Sequence, residues 1–400
     1  MTRHQLEVAD VFREHADEYL GKYGGTSAQR RVLRAVQNCR TAVLGGHVEA
    51  CDRCGHERIA YNSCRNRHCP KCQGPATARW LEARAAELLP TPYFHLVFTL
   101  PAALGPLALH NPRVIYGLLL QAVSRTLLEV AADPRHLGAE IGFLAVLHTW
   151  GQNLLHHPHV HCMIPAGGIA PDGSRWISCQ PDFFLPVRVL SRVFRGKFVA
   201  GLKRAFAREE LAFHGDLTEL ADPTRFADLL DQVVRRDWVV FAKQPFGGPR
   251  QVLKYLARYT HRVAIANRRL VSLREGRLTF RWKDYARDGR HRLMTLAATE
   301  FIRRFLLHVL PKGFMKIRHY GCMANRARTT KRDLCRQLLS MPSLPVATSA
   351  DDHHCEATES ADAEPLRRCP HCREGRLRIV LRLPSQLPSA RALPVYQDTS

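Results

Sequence analysis

Apolar residues recur every three to four positions along much of the chain, which is the spacing of amphipathic helices. Two prolines mark boundaries of this pattern, since Pro90 ends one helical stretch and Pro112 suits the first turn of another. The predicted helices are residues 4–22, 28–43, 79–90, 112–133, 187–213, 222–235, 247–263, 296–309 and 326–340.

Shorter apolar runs lie between these helices and predict strands. Two of the runs are separated only by a short polar loop, so we expect them to pair as neighbours in one sheet. The predicted strands are residues 94–101, 141–150, 159–164 and 237–242, with a hairpin over residues 268–282.

The patterning divides the chain into three predicted parts. Residues 1–90 combine helices with a short, cysteine-rich and irregular stretch at residues 44–75, which suggests a module held by metal. Residues 91–340 carry the regular elements of a larger domain. Residues 341–400 begin with a stretch that lacks apolar periodicity, which predicts a linker, and continue as a basic tail.

The charge of the chain is strongly positive and unevenly distributed. Lys and Arg total 59 against 36 Asp and Glu, which gives a net charge of +23 and a pI near 10.0. Residues 250–333 hold 22 basic and 5 acidic residues, so most of the excess lies in that stretch. A field of this sign predicts a polyanionic partner, either nucleic acid or an anionic membrane.

Aromatic residues are interspersed with these basic residues. Basic side chains for phosphates and rings for unstacked bases are the components of a groove for single-stranded nucleic acid. The alternative is a solvated basic surface around a core that contains the rings, and for any single ring that interpretation is the stronger one. The aromatic residues of this stretch are Tyr255, Tyr259, Phe280, Trp282, Tyr285, Phe301 and Tyr320.

The expected location of the chain follows from its apolar runs and its cysteines. No run of eighteen apolar residues occurs, so we expect no membrane span. The opening stretch MTRHQLEVADVFREHADEYL is charged throughout and lacks the apolar centre of a signal peptide. We therefore expect a cytosolic protein whose thirteen cysteines are thiols, and clusters of them suggest metal rather than disulfides.

Four cysteines have the spacing of a zinc ribbon. Cys51, Cys54, Cys69 and Cys72 form two C-x2-C pairs separated by fourteen residues. In such a pattern two knuckles supply four thiolates to one tetrahedral ion. Four protein ligands leave no open position, so the zinc is expected to stabilise structure rather than to catalyse a reaction.

Other residues near this module leave alternatives open. Cys64 and His68 could replace a ligand or hold a second ion, and Cys39 and His47 are weaker candidates. Ordinary packing or a surface position is the favoured interpretation for these four. A further C-x2-C pair at residues 369–372 stands alone in the tail and is left unassigned. The module is expected to present basic residues to DNA, among them Arg53, Arg65, Arg67 and Lys71.

The stretch HHPHVHCMIPAGG, residues 156–168, leads from histidines into a predicted strand. Strand side chains alternate, so His159 and His161 are expected on one face. If residues 153–158 form the loop, Gln152 faces His159 across the hairpin and lies beside both histidines. Two imidazoles and an amide oxygen with open positions suit magnesium or manganese. The alternative is that the pair faces water.

Two tyrosines lie in the most basic predicted helix. Tyr255 and Tyr259 are four residues apart, so both hydroxyls lie on one helix face. A tyrosine oxygen can attack phosphorus to give a covalent phosphotyrosine, and a metal on the scissile phosphate supplies Lewis-acid stabilisation. The alternative is a pair of core tyrosines on an amphipathic helix. The flanking basic residues are candidate DNA contacts: Lys254, Arg258 and Arg262.

These motifs together resemble those of one family. The segments LGGHVEACDRCGHERIAYNSCRNRHCPKCQ, HTWGQNLLHHPHVHCMIPAGG, GPRQVLKYLARYTHRVAI and IRHYGCMANR resemble the HUH transposases of rolling-circle bacterial insertion sequences, the IS-ninety-one-like family. The resemblance extends over residues 10–340. It implies an α+β fold with a small N-terminal zinc-ribbon-like module and an HUH nuclease core, whose mainly antiparallel sheet is flanked by helices.

The same resemblance implies roles for the candidate residues. His159 and His161 are expected to bind a divalent metal, and Tyr255 and Tyr259 are expected to be the nucleophiles. The strand pairing proposed above makes Gln152 the third metal ligand. The alternatives for that ligand are His148 and His156.

The sequence therefore predicts a DNA transposase. It is expected to cleave and join single-stranded DNA through a covalent 5′-phosphotyrosine, with structural zinc and a catalytic magnesium or manganese ion. A plasmid or phage replication initiator or a relaxase would share this chemistry, and a non-catalytic zinc-ribbon regulator would not. The zinc module and the combined motifs favour the transposase.

Overall fold

Helices and strands alternate along the chain and give the α+β fold that the sequence predicts. The computed structural model describes residues 5–85, 87–243, 251, 264–284, 289–339 and 368–386. Within those residues the α-helices are, in chain order, α1 (Val8–Tyr23), α2 (Ser27–Gln37), α3 (Pro70–Ala85), α4 (Gly105–His110), α5 (Pro112–Ala132), α6 (Val187–Ala207), α7 (Pro223–Val234), α8 (Ala298–Leu306) and α9 (Arg328–Leu338).

The strands pair into antiparallel sheets. The largest sheet has five strands in the order β12-β4-β5-β3-β8, and two three-stranded sheets have the orders β11-β10-β9 and β13-β1-β2. The strands are β1 (Gly46–Cys51), β2 (Glu57–Tyr61), β3 (Tyr93–Thr99), β4 (Gly142–Trp150), β5 (His156–Pro165), β6 (Gly167–Ile169), β7 (Trp176–Ser178), β8 (Val240–Lys243), β9 (Leu270–Arg274), β10 (Arg277–Asp284), β11 (Arg290–Ala297), β12 (Ile317–Gly321) and β13 (Leu377–Leu383).

One face of the five-stranded sheet is covered by the helices α4 to α7. Because strand side chains alternate, Leu96 of β3, Ala145 of β4 and Cys162 of β5 all point to this face. They pack into the main core with side chains such as Leu119 of α5 and Phe194 of α6, all of which are fully buried. Each large apolar side chain buried in this way contributes about 1.5–3 kcal/mol, so the core holds the three central strands firmly in register.

The opposite face of the same sheet is only partly apolar. Leu144 and Met163 pack there with Trp80 of α3 in a small cluster. Further along β4 and β5, the same alternation places His148 and His161 on this face. The histidines therefore lie on the face of the sheet that helices α4 to α7 do not cover.

A second core joins the N-terminal helices to the β9–β11 sheet. Phe12 of α1 packs edge-on against Phe305 of α8, with ring centroids 5.2 Å apart. Phe280 of β10 is fully buried in the same cluster. Leu154, at the tip of the β4–β5 hairpin, is also fully buried there. The hairpin that carries the histidines is thus anchored at both ends.

The third sheet joins the two ends of the described chain. β1 is its middle strand, with β2 on one side and β13 on the other. In the β1–β13 ladder Gly46 lies opposite Leu383 and Cys51 lies opposite Leu377. Residues 368–386, the described part of the tail, therefore add a strand to the N-terminal sheet.

Several predictions of secondary structure differ from this structure. Residues 44–75 were expected to be irregular but contain β1 and β2, and the predicted basic tail contains β13. The helix predicted at residues 79–90 begins earlier, at Pro70, because proline suits a first helical turn and Cys69 fixes the chain just before it. The predicted helix 247–263 and the predicted linker lie outside the described residues, apart from residues 251 and 368.

Helix α5 is the one described helix that is long and apolar enough to cross a membrane by length and composition. Of its apolar window, 61% is buried inside the protein. Leu119, Leu120, Val123 and Leu127 are fully buried in the main core. The packing of α5 is that of a core helix.

Candidate active site and metal centres

The β4–β5 hairpin brings three histidines together. His148 of β4 lies directly opposite His159 of β5, and His161 lies two residues further along β5. His159 and His161 share a strand face, as alternation predicts. One ring nitrogen of each of the three lies within 4.8 Å of the other two. We call His148, His159 and His161 the histidine group, and it is a candidate site for one metal ion.

The predicted register of this hairpin is wrong. Gln152 was expected to face His159, but the hairpin already turns at residues 151–155, so residues 156–158 belong to β5 and the pairing moves to His148. Gln152 lies in the turn, where its carbonyl oxygen accepts a hydrogen bond from Arg269 Nη2 at 2.6 Å. The third residue that the structure brings to the histidine pair is therefore His148.

His156, the other alternative, is engaged elsewhere. Its Nε2 lies 2.8 Å from the hydroxyl of Tyr116 on α5. Its ring also stacks near that of His308, with centroids 6.4 Å apart. Of the histidines in this stretch, only His159 and His161 join His148 among the described groups of possible metal ligands.

Hydrogen bonds fix two of the three imidazoles at Nδ1. His159 Nδ1 donates to the carbonyl oxygen of His157 at 2.6 Å. His161 Nδ1 lies 2.8 Å from Nε2 of His95 on β3, and the two rings are stacked. With Nδ1 engaged in each ring, Nε2 is the nitrogen that would bind an ion. Partners of this kind orient metal-binding histidines in proteins.

The electrostatics of the site keep these imidazoles neutral. Burial lowers the pKa of His159 to about 4. Burial, with the adjacent imidazoles of His148 and His159, holds the pKa of His161 well below its ordinary value. Burial also lowers the pKa of His95 to about 4. A neutral imidazole keeps its lone pair, which is the form that binds a metal ion.

The predicted nucleophiles lie outside the described residues. These are Tyr255 and Tyr259, and the candidate DNA contacts Lys254, Arg258 and Arg262 lie in the same stretch. The relation of that helix to the histidine group therefore stays a prediction.

The four cysteines predicted to share one zinc are divided between two groups. In each group the four sulfur atoms lie within 4.8 Å of one another. The N-terminal cysteine group consists of Cys39, Cys64, Cys69 and Cys72. The composite cysteine group consists of Cys51, Cys54, Cys369 and Cys372.

This division corrects the predicted ligand set. The spacing of Cys51, Cys54, Cys69 and Cys72 suggests one site, but β1 pairs with β13 and thereby brings the tail knuckle to Cys51 and Cys54. The second knuckle instead meets Cys39, whose sulfur lies 3.5 Å from that of Cys72. Ordinary packing, the favoured interpretation for Cys39 and Cys64, is not what the structure suggests.

Two of the basic residues expected at DNA contact the protein itself. Arg67 donates hydrogen bonds to the carbonyl oxygens of Phe314 at 2.8 Å and Pro311 at 3.0 Å. Lys71 forms an ion pair with Glu7 at 2.5 Å. Arg67 thus joins the N-terminal part to residues 311–314, and Lys71 forms an ion pair within the N-terminal part, so both are poor candidates for phosphate contacts.

Sequence reasoning missed His95 because it is a single histidine inside an apolar strand, YFHLVFTL. Its position opposite β5 became visible only through the β3–β5 register, in which Val97 faces His161. The spacing of Cys369 and Cys372 indicates a C-x2-C knuckle, but no neighbouring residue in the sequence indicates which cysteines complete its metal site.

Family models match two parts of the chain. Residues 11–100 match the family described as "Transposase zinc-binding domain", and residues 142–331 match the family described as "Putative transposase". The N-terminal cysteine group lies within the first match, and the histidine group lies within the second.

Two curated relatives cover most of the chain. It is 55% identical over 379 residues to "Putative transposase y4qJ" of Sinorhizobium fredii (strain NBRC 101917 / NGR234), which is 94% of this chain and 95% of that protein. It is 27% identical over 304 residues to "Transposase for insertion sequence element IS801" of Pseudomonas savastanoi pv. phaseolicola. That alignment covers 72% of this chain and 68% of the relative. No solved structure matches the present chain. The chain belongs to the IS91/IS801 type of insertion-sequence transposases and carries the zinc-binding domain of that family.

Proposed function

We propose that this transposase cleaves and rejoins single-stranded DNA through a covalent 5′-phosphotyrosine, in rolling-circle transposition. The observation that carries the proposal is the histidine group, in which three imidazoles meet on one face of a sheet and burial lowers the pKa of His159 and of His161. Membership of a transposase family supports DNA as the substrate. It also disfavours a replication initiator and a non-catalytic regulator.

The donor set of the histidine group fits a divalent ion with open positions. His148, His159 and His161 would hold such an ion through three imidazole nitrogens, a set that would leave room for oxygen ligands. Magnesium prefers oxygen ligands more strongly than manganese does, so this donor set favours manganese of the two expected ions. Such an ion would supply Lewis-acid stabilisation to the scissile phosphate.

The protein residues would act around that phosphate as follows. The phenolic oxygen of Tyr255 or Tyr259 attacks the phosphorus, the new phosphorus–oxygen bond forms, and the bond to the 3′-oxygen breaks. The phenol loses its proton, and the departing 3′-oxygen gains one. A later attack by a 3′-hydroxyl on the phosphotyrosine reverses these changes on a new strand. The number of phosphoester bonds is conserved, so the reaction needs no ATP.

Two nucleophiles suit two successive cleavages. If residues 255–259 are helical, the tyrosines lie about 6 Å apart along the axis at roughly 1.5 Å per residue. In-line attack requires reacting atoms within about 3.5 Å, so one phosphate is served by one tyrosine at a time. The first strand can stay covalently attached while the second tyrosine acts.

A basic sheet face supports binding of a nucleic-acid backbone. Leu278 and Phe280 of β10 are buried in the second core, so alternate residues of that strand point outward. Arg277 and Arg281 occupy two of these outward positions and are exposed. Arg274 of β9 lies directly opposite Arg277. Rows of arginine at this spacing can follow successive phosphates.

The experiment that tests the proposal is a denaturing gel of the full-length protein incubated with a single-stranded oligonucleotide from an element end and manganese. We expect an adduct that survives denaturation. Tyr255→Phe and Tyr259→Phe should each still give a single nick but fail in completed strand transfer, and the double variant should give no adduct. Phe keeps the ring and its packing, so loss of activity reports the hydroxyl.

Tyr23→Phe is the matched control, because Tyr23 is an exposed tyrosine on α1. It should behave like the unaltered protein. An adduct formed by the double variant would place the nucleophile elsewhere. If only one of Tyr255→Phe and Tyr259→Phe impairs strand transfer, the enzyme uses one tyrosine as its nucleophile.

A further inference from the structure

The composite cysteine group joins two knuckles that lie far apart in sequence. Cys51 is the last residue of β1 and Cys54 lies three residues beyond it, whereas Cys369 and Cys372 precede β13. The sulfur of Cys51 lies 3.7 Å from that of Cys372, and the sulfur of Cys54 lies 3.7 Å from that of Cys369. All four sulfur atoms are within 4.8 Å of one another.

These distances match four thiolates around one ion. Zinc–sulfur bonds of about 2.3 Å in a tetrahedron place neighbouring sulfurs about 3.8 Å apart. A disulfide would require about 2.05 Å between two of them. The spacing is therefore that of a tetrahedral metal centre.

The backbone of both knuckles is shaped around the sulfurs. The amide of Arg53 donates to Cys51 Sγ at 3.4 Å, and the amide of Gly375 donates to Cys372 Sγ at 3.3 Å. Hydrogen bonds of this kind stabilise thiolate over thiol. The two loops also close in the same way, with Gly55 at φ 68° and Arg373 at φ 62°.

The two knuckles approach each other too closely for an ordinary side chain at one position. A Cβ added to Gly375 would lie 2.4 Å from Cys51 Sγ, which no carbon–sulfur contact tolerates. The two segments can therefore approach this closely because residue 375 is a glycine and has no Cβ. Its backbone also accepts a hydrogen bond from the amide of Cys369 at 2.7 Å.

We propose that Cys51, Cys54, Cys369 and Cys372 bind a zinc ion of their own, separate from the N-terminal cysteine group, and that this ion fastens residues 368–386 to the N-terminal sheet. A site that unites both knuckles lies beyond the matched zinc-binding domain, since that match ends at residue 100.

Other contacts at this junction are weak. Among the residues that the structure describes, its apolar cluster contains only Cys51, Cys369 and Leu377, with Cys372 at the margin. Neighbouring apolar residues of β13 face solvent, and Val380 is 58% exposed. The ion pairs that join Asp52 to Arg378 and Arg53 to Glu374 are exposed and contribute little. The proposed metal would thus add to an attachment that otherwise consists of the strand ladder and a few hydrogen bonds, such as those from the Arg376 amide to Asp52 Oδ1 and from Ser385 Oγ to the carbonyl oxygen of Val43.

Metal analysis of the purified full-length protein tests the assignment. We expect two zinc ions per chain in the unaltered protein and one in the Cys369→Ser/Cys372→Ser variant. Cys179→Ser should retain both, because Cys179 belongs to neither group. A Cys369→Ser/Cys372→Ser variant with an unchanged zinc content would overturn the proposal. So would iron in place of zinc, the other common occupant of a four-thiolate tetrahedron.

A second measurement uses the unaltered chain and does not depend on the variant folding. Cys54 is exposed, so without metal it should react quickly with an alkylating reagent. In the zinc-loaded protein we expect Cys54 and Cys372 to react at least tenfold more slowly, and to become reactive after chelation without reductant. Rapid labelling of the zinc-loaded protein would contradict metal binding. Reactivity that appears only with reductant would indicate a disulfide and would also overturn it.

Discussion

The histidine group and the composite cysteine group are built in opposite ways. The histidines come from two neighbouring strands within fourteen residues of one another, from His148 to His161. In the composite group, Cys54 and Cys369 are separated by 315 residues. The first depends on a local hairpin, whereas the second depends on a pairing between distant parts of the chain.

The difference teaches what each site requires of the fold. The histidine group sits on a sheet whose other face is a large apolar core, so its geometry is fixed before any ion binds. The composite group has almost no apolar support, so an ion there would help to create the structure that binds it. A site of the first kind suits exchangeable ions and catalysis, and a site of the second kind suits permanent attachment.

The sharpest test of this contrast is substitution in the histidine group. His159→Ala or His161→Ala should lower nicking by roughly 10²–10⁴-fold, because Lewis-acid stabilisation of several kcal/mol is lost. Binding of single-stranded DNA, measured by fluorescence anisotropy, should change little, since basic residues elsewhere supply the affinity. His136→Ala, at an exposed histidine after α5, is the control. Undiminished nicking by either variant with EDTA present would refute a metal role.

A brief exposure to EDTA should separate the two kinds of metal. We expect nicking to stop and to return when manganese is added, while the zinc content of the protein stays constant over the same period. Ions held by three imidazoles and water exchange more readily than zinc held by four thiolates. If nicking and zinc were lost together at every time point, the proposed difference between the sites would be wrong.

His95 should have a smaller effect, because it acts through His161. His95→Phe removes the partner of His161 Nδ1, and loss of such a partner costs roughly 10–100-fold in metal affinity or activity. The manganese concentration for half-maximal nicking should rise accordingly, and excess manganese should restore much of the rate. His95→Gln, which can still hydrogen bond, should be intermediate. A rate that falls without any change in manganese dependence would point to a purely structural role.

The smallest expected effect concerns the basic sheet face. Arg277→Gln with Arg281→Gln should weaken binding of single-stranded DNA several-fold and reduce the slope of its salt dependence by about 0.7 for each phosphate that is no longer neutralised. Nicking at saturating DNA should be nearly unchanged. Arg135→Gln removes a charge from a side chain that is 85% exposed on another part of the surface and serves as the control. Equal weakening with Arg135→Gln would mean that only net charge matters.

The local patterns predicted most of the core elements. Short apolar runs identified β3, β4 and β5, and the helical period identified α5 within one residue at each end. It also predicted correctly that His159 and His161 share a strand face. These features depend on neighbours in sequence, which is why periodicity was sufficient to find them.

The errors concern turns and distant partners. The turn after Trp150 lies earlier than predicted, at residues 151–155, and its left-handed residue is Leu154, a residue type that seldom adopts this conformation. Cysteine spacing suggested one site because Cys39, Cys369 and Cys372 are brought to their groups by folding and not by spacing. The sequence pattern of β1 or of β13 alone does not indicate that these two strands pair with each other.

The position of β13 also affects how the protein is made. A ribosome adds roughly 5–20 residues per second, so Cys369 follows Cys54 by about 15–60 s. Until then β1 has one open edge, and open edges invite pairing with other chains. A product stopped by a premature termination codon keeps that edge and two partnerless thiols. Pairing of β13 with the open edge of β1 thus distinguishes full-length chains from truncated ones. We expect the truncated chains to be degraded by proteases or to aggregate.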